Sequence, residues 1–170
     1  GKLKLASEEK KQMDRLVEAE KAVEDGKLKI SQGISGIDAG LTELYKNKET
    51  LSASKKLIEA GEDELLKIKE GLVLIGNNLS AENKEKLESV QNKLDEVLNQ
   101  KNEINQSLEL VDSNINELEG QKKELNDQLF DLNSKKSEIE KGKNTLSLEM
   151  SKARLELKDG EISLRQKLEE

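Results

Sequence analysis

Four lysines share one row of the second half of the chain: Lys101, Lys122, Lys136 and Lys143, spaced in multiples of seven among leucines and isoleucines. An amine on an apolar face can serve as a nucleophile or general base when desolvation lowers its pKa. In a helical seam the same placement more commonly fixes register and partner choice, the ammonium reaching water at the end of its stem. The rest of the chemical inventory is thin. There is no histidine and no cysteine, which removes the commonest general base, the thiolate nucleophile, disulfides and most zinc ligands. No pair among the 36 acidic residues is set apart for acid–base work. The glycines are not followed by Lys-Ser/Thr after a strand, so no phosphate loop is present. Asn78-Leu79-Ser80 and Asn105-Gln106-Ser107 match the glycosylation sequon, and a turn explains the first. No enzyme, cofactor or metal site is expected.

Charge argues against two partner classes. Lys and Arg number 29 against 36 Asp and Glu, a net charge of -7, with the signs interspersed and no basic block. Basic residues lack aromatic interleaving, so neither nucleic acid nor an anionic membrane surface is an expected partner. The longest apolar run, Leu72-Val73-Leu74-Ile75, falls far short of the ~20 residues of a membrane span. Pairs at helical spacing, such as Glu20 and Glu24 with Lys27, read as a solvated surface.

What must position these residues is a long helix, twice. Hydrophobic residues make up 33% of the 170 positions, aromatics only 1%, and charged residues 38%, which is too little for a compact core. Proline is absent, which suits uninterrupted helices. Counting in sevens from Leu16 gives Val23, Ile30, Ile37, Leu44, Leu51, Ile58, Leu65, Leu72 and Leu79. The interleaved row reads Ala19, Gly26, Gly33, Gly40, Asn47, Ser54, Gly61, Ile68, Ile75, so one side of the seam is bulky and the other small. The second half runs from Val90 through Val97, Ile104, Val111, Leu118, Leu125, Leu132, Ile139 and Leu146, to Ala153 and Gly160. Its companion row runs from Leu87 and Leu94 through the four lysines to Met150, Leu157 and Leu164.

Between the two runs, Gly76-Asn77-Asn78 signals a helix end and Ser80 a new N-cap, with Glu82 in the following first turn. The expected fold class is all-α, a long antiparallel two-helix coiled-coil hairpin forming a single domain over 1–170. Helix 1 is expected at about 5–76, the tip at 76–80 and helix 2 at about 80–168. At ~1.5 Å per residue each arm would be about 110 Å long. Folding about Asn78 brings Gly26 level with Phe130 and sets the glycine row against the stretch holding Leu94, Lys101, Leu108, Ile115, Lys122 and Leu129. Three readings of the glycines stay open: close packing, a hinge, and a groove for a partner helix. Ile34 and Leu41 widen the apolar face beside them, and Gly36, off the row, is the place to look for a bend. Partner contact is expected at the tip, Leu72, Ile75, Gly76, Asn77, Asn78, Leu79 and Ser80, with the apolar patch Leu72–Ile75, or along the glycine face.

ISQGISGIDAGLTELYKNKETL at 30–51, NINELEGQKKELNDQL at 114–129 and KARLELKDGEISL at 152–164 resemble coiled-coil extracytoplasmic insertions of Firmicutes membrane proteins. The resemblance is to the FtsX-like (MacB-like) ABC transporter permease family, with similar repeats in RND-type efflux permeases and YhgE/Pip proteins. It implies an excised ectodomain on the extracytoplasmic face of the membrane, joined to its parent membrane protein through both ends. On that reading the chain is a non-enzymatic stalk or sensor arm of a Gram-positive transport protein. The alternative is an intracellular structural coiled coil that oligomerises.

Overall fold

The computed structural model describes residues 2–169, which form two long α-helices joined by one turn: α1 (Lys2–Leu74), a 3-10 turn at Gly76–Asn78, and α2 (Ala81–Glu169). The helices pack against each other as an antiparallel hairpin, and no strand occurs among the described residues. Contacts divide it into two units. Unit 1 joins Gly1–Ser35 to Lys122–Glu170 and contains both chain ends; unit 2, Gly36–Gln121, contains the turn.

The break between the helices follows from three residues. The Ile75 N–H donates to the Leu72 carbonyl at 3.3 Å, and Gly76 then takes φ 72°, a left-handed conformation that ends the helix. Leu79 is extended, and Ser80 caps α2: its Oγ accepts from the Asn83 N–H at 3.1 Å and its carbonyl from the Lys84 N–H at 3.0 Å. Glu82 sits in the first turn of α2 and Lys167 in the last, each of the sign that suits the helix dipole. Helix α1 stops at Leu74, two residues before the expected end, because the 3-10 turn already begins at Gly76.

The seam follows the heptads. On α1, every residue of the row Leu16 to Leu72 is buried or half-buried, and on α2 both rows are covered as far as Ala153 and Leu157. Beyond residue 160, α2 is exposed throughout its described length. The bulky row of α1 has a second flank. Ile34, Leu41, Lys48, Lys55, Glu62 and Lys69, four residues on from the bulky row, are all buried or half-buried. Ile34 and Leu41 therefore belong to the seam itself. Nearer the turn the glycine row leaves it, and Ile68 and Ile75 lie outside.

The register differs from the expected one. Each of three glycines lies against a leucine: a Cβ would stand 3.1 Å from Leu132 Cδ1 at Gly26 and 3.2 Å from Leu125 Cδ1 at Gly33, both in unit 1. At Gly40, in unit 2, it would stand 3.2 Å from Leu118 Cδ1. These pairs are equidistant in sequence from Leu79, not Asn78, because the 3-10 turn and extended Leu79 shift the centre of the fold by one residue. The row opposite the glycines is consequently Leu118, Leu125 and Leu132. Phe130, expected near Gly26, is 71% exposed. Gly36 has no atom near its missing side chain, and α1 continues as α-helix through it; the division between the units falls at Ser35 and Gly36.

Candidate functional site

Polar contacts across the seam decide what the lysines do. In unit 2, Lys101 Nζ donates to both oxygens of Glu62 at 3.3 and 3.2 Å, with both side chains about three-quarters buried. Lys48 pairs with Asp112 at 2.8 Å, Lys69 Nζ donates to Gln91 Oε1 at 2.8 Å, and the Tyr45 hydroxyl donates to Glu119 Oε1 at 2.6 Å. In unit 1, Lys143 pairs with Glu20 at 2.6 Å and Lys136 with Glu24 at 3.0 Å. Lys122 is half-buried and also engaged. Glu20 and Glu24 thus reach across to α2, where the sequence suggested a surface network on one helix.

The hydrogen bond and charge of Glu24 hold Lys136 above the ordinary lysine pKa and so keep it cationic. Glu24 is correspondingly held below its usual value, first by the hydrogen bond from Lys136 and then by its charge. Lys101, Lys136 and Lys143 each meet a carboxylate of α1, contacts that align α2 with α1.

One charge lies deeper. Glu9 continues the bulky row one heptad before Leu16 and is only 6% exposed. Its Oε2 accepts from Arg154 Nη2 at 3.4 Å, and its Oε1 has no hydrogen-bond partner. It lines a shallow hollow with Leu5, Ala6 and Leu157 in unit 1. Nothing in the sequence marked it, since a glutamate in a chain with 36 acids carries no signal until its row is known.

The expected tip residues divide by exposure. Leu72 is buried in the seam and Leu79 half-buried, whereas Ile75, Gly76, Asn78 and Ser80 are exposed; the Asn77 side chain lies outside the described residues. The apolar surface at the turn is carried by Val73, Leu74 and Ile75, with Leu74 86% exposed. A groove beside it is lined by Leu66, Lys69, Glu70, Val73 and Leu74. Among the described residues no cluster of three or more His, Cys, Asp or Glu could hold a metal ion, and no helix is long and apolar enough to cross a membrane.

No protein-family model, curated protein or solved structure matches this chain.

Proposed function

We propose that this chain is a non-enzymatic coiled-coil arm that mediates protein–protein contact or mechanical coupling, as an extracytoplasmic stalk or sensor arm of a membrane transport protein. The observation that carries the reading is the hairpin itself. Unit 1 contains both ends of the chain and unit 2 contains its turn, the arrangement an insertion between two membrane segments requires. The exposed Val73, Leu74 and Ile75 give the turn an apolar surface for a protein partner. The resemblance of residues 30–51, 114–129 and 152–164 to Firmicutes permease insertions supplies the transport context.

This chain has no cysteine, so Asn78→Cys gives it a single label site at the turn once any cysteine elsewhere in the parent protein is replaced by serine. In intact cells producing the parent protein, a membrane-impermeant maleimide should label it. Labelling only after lysis would sink the extracytoplasmic reading.

The scaffold reading has one observation of its own. Leu148, Leu155 and Ile162 form a row at intervals of seven on the outside of α2 in unit 1, where a further helix could pack. Sedimentation equilibrium separates the two: a concentration-dependent oligomer abolished by Leu155→Glu favours the scaffold, and a monomer favours the arm.

A further inference from the structure

The heptad repeat of unit 2 leaves its register open. Sliding α1 along α2 by seven residues returns each position of the row Leu44, Leu51, Ile58, Leu65 and Leu72 to an equivalent one, while buried Leu41 would exchange with Lys48. Charge removes that freedom. Lys101 meets Glu62, and the residues seven before and seven after Glu62, in the same half-buried row, are Lys55 and Lys69. One heptad in either direction sets ammonium against ammonium. Unit 1 repeats the device: Lys143 meets Glu20, and Lys27 stands seven residues further on.

In one direction the slid state is nevertheless provided for. Leu79 lies seven residues past Leu72 and continues its row. If α1 ran on through Gly76, Leu79 would take the level on α2 that Leu72 now holds. The connection would then be 80–86, Ser-Ala-Glu-Asn-Lys-Glu-Lys, which contributes no aliphatic residue to the seam; the α2 rows begin at Leu87 and Val90. Unwinding that stretch removes little packing. Asp112 would exchange Lys48 for Lys55 and keep a cationic partner.

We propose that α1 can take two registers on α2 one heptad apart, the observed one and a second with α1 extended to Leu79, and that the Lys101–Glu62 and Lys143–Glu20 pairs select the observed one. The device gives a hairpin turn a defined displacement of about 10 Å along the helix axis. It does not depend on the transport reading, since it rests on row positions and ion pairs alone.

Engineered disulfides in the whole chain test it. Ser54→Cys with Ile104→Cys reports the observed register, both residues being equidistant from Leu79, and Ser54→Cys with Val111→Cys reports the second. The chain with native charges should close the first pair. Exchanging the charges at both locks, Glu62→Lys with Lys69→Glu and Glu20→Lys with Lys27→Glu, should transfer closure to the second pair, with amide protection gained over 75–79 and lost over 81–86. Continued closure of the first pair in the exchanged chain overturns the proposal. So does loss of helix content with neither pair closing, because the second register is then not a stable state of this sequence.

Discussion

Lys101 Nζ lies within 3.3 Å of both carboxylate oxygens of Glu62, bridging the two helices of unit 2 with about a quarter of each side chain exposed. A pair so placed falls between the surface ion pair, worth little, and the buried one, whose disruption strands a charge. Glu62→Ala should lower stability by about 1–2 kcal/mol, since Lys101 loses its counter-charge in a half-buried row. Adding Lys101→Leu should recover most of that loss by extending the aliphatic row. Thermal unfolding followed by circular dichroism checks both, and a double variant no more stable than the single one would contradict the assignment.

Glycines at equal helical cost differ in what their missing side chains would meet. Gly36→Ala should stabilise the chain by about 1 kcal/mol, since the methyl enters open space and α1 gains helix propensity. Gly33→Ala should stay within about 0.5 kcal/mol of the parent, because Leu125 Cδ1 must give way by a few tenths of an ångström and the propensity gain is spent on that shift. Denaturant midpoints of the two variants, measured side by side, decide it.

Gly76→Ala should destabilise the turn by about 1–2 kcal/mol, because φ 72° places a Cβ in the left-handed region. Ser80→Ala should cost about 1 kcal/mol through loss of the acceptor for the Asn83 N–H. Both losses should appear first as faster amide exchange near the turn.

Tyr45 is the sole tyrosine and there is no tryptophan, so phenolate absorbance reports it alone. Its hydrogen bond to Glu119, then burial and the nearby acidic charges, raise its pKa above the ordinary 10.0. The folded chain holds that proton more tightly than the unfolded chain does. The contribution to stability is therefore present below pH 10.0 and is lost as pH climbs through the folded midpoint. Glu119→Gln should bring the midpoint down towards 10.0; an unchanged midpoint would sever Tyr45 from Glu119.

Acid acts oppositely at Glu24. Its pKa is lowered from 4.5 by Lys136, so its contribution is present above that value and fades as pH falls through the folded midpoint. Lys136→Met should return the Glu24 titration, followed by carboxyl carbon NMR, to the ordinary range.

The periodic parts of the fold were legible and the interval between them was not. Rows of Leu, Ile and Val at seven declare two helices and their contact faces, and Gly76 with Ser80 declares the break. Register depends on how many residues the turn consumes, which neither Asn77 nor Asn78 announces; one residue moved Gly26 from Phe130 to Leu132. From sequence Ile34 and Leu41 read as a widening of the apolar face beside the seam, because the bulky row has flanks at both three and four residues and the glycines occupy the first. The sites of Glu9 and Glu62 became readable only once the opposing helix was in place.

Gly26, Gly33 and Gly40 each receive a leucine methyl from a row with the same seven-residue pitch. The consequence concerns length. An insertion or deletion in one helix slides every contact beyond it out of step, whereas adding seven residues to each helix at matched levels leaves the rest of the hairpin as it was. Arms of this design should lengthen or shorten in steps of fourteen residues, and length variants among related chains should be sparse at any other number.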